Sequence, residues 1–330
     1  MRVLVTGSNG FLGRHVVHAL ISEGREVRCM VQPGTNAACF ANLNVEIVEA
    51  DLVEPGSLTL AARGCQQVVH LAALVQDWGK RQWFSRINVD GTRNLLEASR
   101  QQGVERLLFV SSLAVHGFGD FIDATEETPL DDGGNPYAWS KIKCEELLNE
   151  AQVKGDLETV IVRPGWVPFG EWDILGFGGL ASVLKKGIMP VVGNPDNLTC
   201  TAYAPNLAGG IVNALHSAPS AGQTYVLADS DATSWRDYFC AIGERLGRRP
   251  KLLRLPVLPL LGVARLCEMG WAPKGPSCRP PLTCYMLRLM TRNTHFSAQK
   301  ARREIGFDPT VPLAEAVERT HLWWRAEYGA

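Results

Sequence analysis

Two residues four apart give the sequence its chemical centre. Tyr137 and Lys141 lie in Asn135-Pro136-Tyr137-Ala138-Trp139-Ser140-Lys141, which runs on into Ile142-Lys143-Cys144-Glu145-Glu146-Leu147-Leu148. Pro136 suits the first turn of a helix, and the Glu and Leu residues that follow are good helix formers. The spacing therefore puts Tyr137 and Lys141 on one helical face. A phenol with an ordinary pKa of about 10 becomes a usable acid or base when a fixed ammonium favours its phenolate. Spacing alone also admits a plainer reading, a Tyr and a Lys on a solvated face. Upstream, Ser111-Ser112 follows the apolar run Arg106 to Val110 and would set a hydroxyl at the carboxyl end of a strand. Ordinary turn chemistry is the competing account of that pair.

The elements that must position these side chains begin at the N-terminus. Arg2 to Thr6 reads as a strand, Gly7-Ser8-Asn9-Gly10-Phe11-Leu12-Gly13 as a glycine turn, and Arg14 to Ser22 as a helix. Strand, glycine turn and helix in that order bring backbone N–H groups and a positive helix end to a phosphate. Further strands are predicted at Glu26 to Val31, Val45 to Glu49, Gln67 to Leu71, Arg106 to Val110, Thr159 to Val162 and Thr224 to Leu227, with helices between most of them. The alternation predicts an α/β fold, a doubly wound parallel sheet of about seven strands binding ligands at the strands' carboxyl ends. Six loops share that edge: Gly7 to Gly13, Gln32 to Thr35, Asp51-Leu52, Leu71 to Ala73, Ser111-Ser112 and Pro164 to Val167.

After Pro164 the pattern changes. Gly165 to Gly179 holds five glycines, two tryptophans and two phenylalanines, and residues 232–330 are mostly helical in pattern. We expect a dinucleotide-binding domain over 1–164, with 211–231 returning to it. Residues 165–210 and 232–330 would form a smaller substrate lobe. Trp166 and Trp172 are candidates for its pocket, with gap-filling under the lobe as the alternative for either.

Composition narrows the function classes. The net charge of −1 leaves no electrostatic footprint for nucleic acid. Nine cysteines without a CxxC pair suit free thiols in a reducing compartment. His15 and His18, three apart, lack the carboxylates of a metal site, and no metal is expected. The apolar run Leu255 to Ala264 is too short to span a bilayer. With no signal peptide ahead of the first strand, the expected location is cytoplasmic. Lys274 to Arg303 carries seven basic residues and no acidic one, either a solvated face or a contact for an anionic ligand or membrane surface.

Several motifs in order resemble the extended short-chain dehydrogenase/reductase family over nearly the whole chain. They are Thr6-Gly7-x-x-Gly10-Phe11-Leu12-Gly13, Asp51-Leu52, His70-Leu71-Ala72-Ala73, Asn88-Val89-Asp90-Gly91-Thr92, Ser111-Ser112, Tyr137-x-x-x-Lys141 and Arg163-Pro164. The resemblance implies a Rossmann domain, with Ser112 binding the substrate oxygen and Tyr137 as general acid/base. It implies that Lys141 holds the nicotinamide ribose and lowers the phenol pKa. Gly7, Gly10, Phe11, Leu12, Gly13, Gln32, Asp51, Leu52, Leu71, Ala72, Ala73, Asn88, Tyr137, Lys141, Pro164 and Val167 would meet the cofactor. Family members usually carry Tyr where this chain has His116, a change not expected to touch catalysis. Members often dimerise through two helices, here Gln82 to Gln101 and Pro136 to Lys154, which makes a homodimer the expectation.

The end of the second strand, Val31-Gln32-Pro33-Gly34, has neither the carboxylate that binds an NAD ribose nor a basic residue, and this tilts the expectation toward NADP(H) over NAD(H). Leu198 to Ala208 lacks the Arg and the Asp pair with which nucleotide-sugar enzymes of this family grip a diphosphate. The C-terminal half, through Gly222-Gln223-Thr224-Tyr225-Val226, Ser234-Trp235-Arg236-Asp237 and His295-Phe296-Ser297-Ala298, resembles the 3β-hydroxysteroid dehydrogenase and β-keto acid reductase branch. The resemblance therefore implies an NAD(P)-dependent oxidoreductase acting on a secondary alcohol or ketone in a largely apolar small molecule, such as a steroid, an alkyl β-keto compound or a polyketide-like substrate. A nucleotide-sugar epimerase or dehydratase with transient hydride transfer is the alternative.

Overall fold

Alternating residues of the strands divide the core in two. Val3 and Val5 of the first strand pack with Val16, Val17 and Leu20 on one side, while Leu4 packs with Leu58, Leu95 and Phe109 on the other. Both faces of the sheet are covered, as a parallel sheet requires. In this computed structural model, which describes residues 1–229, 232–272, 278 and 280–329, the strands are β1 (Arg2–Thr6), β2 (Glu26–Val31), β3 (Glu46–Glu49), β4 (Gln67–His70), β5 (Arg106–Val110), β6 (Glu158–Pro164) and β7 (Thr224–Leu227). Their order is β7-β6-β5-β4-β1-β2-β3, and every pairing is parallel. The order reverses between β1 and β4, where a crevice opens at the carboxyl edge. β6 runs longer than its β-branched residues predict because Arg163 and Pro164 still pair with Val226 and Leu227 of β7.

Helix α1 (Phe11–Ser22) covers one face together with Ala204–His216. Helix α2 (Pro55–Ala62) covers the other, beside a long helix, α3, that runs from Arg81–Phe84 through a π-helical segment, Ser85–Asp90, into Gly91–Gln101. Next to α3 lies α4 (Pro136–Lys154). It starts where the sequence says it should. Asn135 Oδ1 accepts the Ala138 N–H at 3.0 Å, Pro136 occupies the first turn, and Gly155 closes the helix at φ +77°.

Beyond β6 a second core forms around Phe169, Phe177, Tyr203, Tyr238, Phe239 and Trp324. It is built from α5 (Gly179–Leu184), α7 (Trp235–Arg245) and α11 (Leu313–Tyr328), with α6 (Ala204–His216) between it and the sheet. A capping box starts α7: Ser234 Oγ accepts the Asp237 N–H at 3.1 Å and Asp237 Oδ2 accepts the Ser234 N–H at 3.2 Å. Helix α8 (Val257–Trp271) packs against α9 (Cys284–Leu289). Helix α10 (Gln299–Ile305) returns to the sheet, where Ala301, Ile305 and the following Phe307 join the first core. Of the basic run Lys274 to Arg303, Lys274 and Arg279 lie outside the described residues.

Candidate active site

The turn after β1 is fitted to the loop after β4. Thr6 Oγ1 accepts the Ala72 N–H at 3.1 Å, and a side chain at Gly7, whose φ is +65°, would stand 2.8 Å from the Ala72 nitrogen. A side chain at Gly13 would collide with the Gly7 carbonyl. Only glycine lets the first turn of α1 approach this closely. The outcome is a bare backbone cradle at a helix N-terminus, which fits a dinucleotide pyrophosphate.

Below the cradle a hydrogen-bond chain ties β1 to α4. Thr6 Oγ1 lies 2.8 Å from His70 Nδ1, His70 Nε2 3.1 Å from Thr92 Oγ1, and Thr92 Oγ1 donates to Cys144 Sγ at 3.3 Å. Because the Thr92 hydroxyl spends its proton on Cys144 Sγ, whose own proton goes to the Asn88 carbonyl, Thr92 Oγ1 accepts from His70 Nε2–H, and His70 Nδ1 is left to accept from the Thr6 hydroxyl. Burial, and after it the Lys141 charge, pull His70 down to about 3, so it is neutral.

Helix α4 lays Tyr137, Lys141, Glu145 and Leu148 along its inner face. Lys141 Nζ donates to the Val110 carbonyl at 2.8 Å and sits 4.5 Å above the Phe109 ring. Burial lowers Lys141 to about 8. Burial also pushes the Tyr137 phenol well above its ordinary value, with a hydrogen bond to the Ser112 side chain opposing it. Desolvation dominates this shift, and the Lys141 ammonium is tied to the carbonyl at the end of β5. The phenol therefore carries its proton at neutral pH.

Ser112 Oγ accepts the Ala114 N–H at 3.1 Å and so is fixed at the strand end. Ser111 turns the other way. Its hydroxyl donates to Glu145 Oε1 at 2.6 Å, and Glu145 is gripped on both oxygens by Arg163, at 3.0 and 2.5 Å. Arg163 Nη1 also donates to the Glu126 carbonyl at 3.0 Å and to His116 Nε2 at 3.1 Å, which leaves His116 Nδ1–H for the Pro129 carbonyl at 3.3 Å. Burial first, then the Arg163 charge, pulls His116 down to about 4. This buried pair and its neutral histidine brace the strand ends on which the site stands.

A cleft of about 510 Å³ brings most of the predicted residues together: Gly7, Gly10, Phe11, Leu12, Gly13, Leu71, Ala72, Ala73, Ser112, Tyr137, Lys141 and Pro164 all line it. Gln32, Asp51 and Leu52 line a smaller cavity of about 230 Å³, which shares Gly7, Ala72 and Ala73 with the first. There Gln32 Nε2 donates to Asp51 Oδ2 at 3.1 Å. Two predicted residues stand elsewhere. Asn88 holds the Leu74 N–H at 2.7 Å and donates to Ser140 Oγ at 2.9 Å, so it clamps the loop to α4 from behind. Val167 pairs with Thr201, while its neighbours Trp166 and Pro168 face the cleft.

Trp166 lines the cleft, whereas Trp172 stacks on His18 at 5.5 Å and lies 4.5 Å from His15. Sequence reasoning missed Tyr285, which closes the cleft from α9 and packs against Phe118 at 5.1 Å and Trp166 at 6.3 Å. Its one sequence signal is local: Pro280-Pro281 followed by Thr283, whose Oγ1 accepts the Met286 N–H at 3.2 Å as a helix cap. Glu145 was legible on the helical period from Tyr137 and Lys141. Among the described residues that line the cleft, only Lys141 is charged.

Comparisons with known proteins agree with this geometry. Residues 4–257 match the model of the 3-beta hydroxysteroid dehydrogenase/isomerase family. A 3beta-hydroxysteroid-dehydrogenase/decarboxylase isoform 2 of Arabidopsis thaliana is 28% identical over 96% of this chain, which spans 61% of that protein's length. The 4-hydroxy-2-methyl-3-oxo-4-farnesyl-3,4-dihydroquinoline-1-oxide ketoreductase of Stigmatella aurantiaca is 29% identical over 100% of this chain and 98% of its own. Among solved structures, DesIV, a dTDP-glucose 4,6-dehydratase from Streptomyces venezuelae with NAD bound, superposes with a TM-score of 0.78 at 24% identity, covering 100% of this chain and 98% of that one. That last likeness is one of fold. With the family model spanning most of the chain, the protein belongs to the 3-beta hydroxysteroid dehydrogenase/isomerase family and is an NAD(P)-dependent short-chain dehydrogenase/reductase.

Proposed function

We propose that the protein interconverts a secondary alcohol and a ketone on a largely apolar substrate, with Tyr137 as general acid/base and NADP(H) as cofactor. The observation that carries this reading is one cleft in which Ser112, Tyr137 and Lys141 face the Gly7–Gly13 cradle. When bound, a nicotinamide cofactor supplies or removes the hydride. Tyr137, held protonated by burial, gives its proton to the carbonyl oxygen during reduction and takes it back during oxidation. Ser112 orients that oxygen, and Lys141 is assigned to the cofactor's ribose. The cradle would take the pyrophosphate, and Gln32, Asp51 and Leu52 the adenosine end.

Three observations favour an apolar substrate over a nucleotide sugar. Among the described residues Lys141 is the one charged side chain lining the cleft, and it is assigned to the cofactor, so that lining offers no second cation to a diphosphate. The segment expected to hold such a clamp is buried, with Thr199, Thr201, Ala202 and Tyr203 all at 1% exposure or less. The Stigmatella relative is named for a farnesyl-bearing ketone. The preference for NADP(H) rests on Gln32 at the end of β2, which offers an amide where a carboxylate would repel a 2′-phosphate. The reading includes a homodimer through α3 and α4 and a cytoplasmic location.

A screen following NADPH absorbance with steroid ketones, β-keto acids and nucleotide sugars tests the proposal. Turnover is expected with an apolar ketone, and Tyr137→Phe should lose about 10²–10⁴-fold in kcat. Product formation from a nucleotide sugar without net NADPH consumption, or an unimpaired Tyr137→Phe variant, overturns it.

A further inference from the structure

Helix α8 is built against the usual rule for a surface helix. Leu258, Leu266 and Met269 are 82, 69 and 72% exposed, and Val263 is exposed beside them, while Ala264 is the one fully buried residue of the helix. Residues at these spacings lie on one face. An apolar face of this kind on a soluble domain marks a contact with something else.

The charge around it says what kind. Residues 246–303 hold twelve Lys or Arg and a single acidic residue, Glu268, in a chain whose net charge is −1. Glu268 is turned inward, accepting the Cys284 N–H at 2.8 Å. Arg249, Lys251, Arg265 and Arg292 form no ion pair among the described residues, while Arg288 lies over the Phe118 ring at 5.8 Å. An apolar stripe that carries Arg265, set in a stretch of chain so rich in Lys and Arg, is the pattern of a helix lying in the headgroup region of an anionic bilayer. Among the described residues no helix is long and apolar enough to cross a membrane, so the contact is one of surface docking.

The same helix leads inward. Met269 and Ala272 line a second cleft of about 380 Å³ with Trp78, Phe118, Pro136, Cys284, Tyr285 and Arg288. Tyr285 belongs to this cleft and to the one that holds Tyr137. The indole N–H groups of Trp78 in the second cleft and Trp166 in the first are buried without a hydrogen-bond partner among the described residues. Each can donate to an oxygen of a bound molecule.

We propose that the exposed face of α8 rests on an anionic lipid surface and that an apolar substrate passes from it through the second cleft, past Tyr285, to Tyr137. The docking stands independently of the reductase reading, and the entry route rests on it.

The full chain is mixed with phosphatidylcholine vesicles and with vesicles enriched in phosphatidylglycerol, and sedimentation is measured. Binding to the anionic vesicles only, weakened by salt, is expected. The double variant Leu258→Glu/Leu266→Glu should lose at least about tenfold in vesicle affinity. It should turn over a short, water-soluble ketone at the wild-type rate and a vesicle-embedded long-chain ketone more slowly. Failure to sediment with anionic vesicles overturns the docking. So does undiminished binding by the double variant, or a wild-type dimer that this variant converts to monomer without any vesicle binding. Vesicle binding without turnover of any ketone leaves the docking in place and overturns the reductase reading. Equal turnover of the embedded ketone by both proteins overturns the entry route.

Discussion

Helices α4 and α8 meet opposite fates in one chain. Every charged group on the inner face of α4 has a partner: Lys141 holds the Val110 carbonyl, and Glu145 holds Arg163 and Ser111. Helix α8 turns leucines outward and buries a single alanine completely. The first helix is over-determined by its own chain. The second is shaped by something beyond it. A helix that positions a proton donor must hold its side chains within tenths of an ångström, so its polar groups are fully satisfied. A helix that meets a fluid surface has no such requirement.

Breaking the α4 side should cost most. Glu145→Gln leaves the Arg163 guanidinium buried and uncompensated, and a loss of about 3–5 kcal/mol in unfolding free energy is expected by denaturant titration. Adding Arg163→Met should recover part of the loss, because the pair is then removed together. If Glu145→Gln unfolds like the wild type, the claim that α4 is over-determined fails.

The next effect depends on pH. His116 sits at about 4 in the folded protein against 6.5 for the free side chain. Its folded pKa is depressed, so the unfolded chain takes up the proton first as the pH drops. Stability tied to this residue is complete above about 6.5 and drains away as the pH falls toward about 4, by on the order of 1–2 kcal/mol at pH 5. His116→Tyr removes a titrating group and should flatten that part of the stability curve, read as the difference between the two proteins. Identical acid limbs would show that burial beside Arg163 does not hold the histidine neutral.

At the start of α4, Asn135→Ala removes the cap on the Ala138 N–H and the 2.9 Å bond to the Asp77 carbonyl. A loss of about 1 kcal/mol is expected from the cap. Turnover should fall too, since Tyr137 stands in the first turn; a stability loss with unchanged kcat would mean that the cap is not what positions the phenol.

Sequence made α4 legible and α8 nearly silent for the same physical reason. Asn135, Pro136, Tyr137 and Lys141 announce their helix through local chemistry, and the glycine turn announces the cradle through backbone needs that only Gly7 and Gly13 meet. The strands could be read because apolar runs alternate with helices at the spacing of a parallel sheet. Tyr285 lies 148 residues after Tyr137 in the chain and joins it only when α9 folds back over the sheet edge, a contact no local pattern encodes. The resemblance implies a cofactor contact for Asn88, and the structure shows its amide holding Leu74 and Ser140; a motif names a residue but not the direction in which it points. The apolar run of α8 was legible as too short to span a bilayer, yet whether its leucines faced in or out depended on how the lobe packed.

The smallest effect is the one that tests α8 as a free surface. Leu266→Glu alone replaces a residue 69% exposed and should change the unfolding free energy by less than about 0.5 kcal/mol, because nothing in the fold is left unfilled. Leu287→Ala on α9 provides the contrast. That side chain is 4% exposed between the two helices, and its truncation should cost about 2–5 kcal/mol. Equal losses from the two would mean that the outer face of α8 is packed in solution after all. A near-zero cost at Leu266 beside a large one at Leu287 would place the boundary between what the chain stabilises and what it leaves for a surface on the middle of one helix.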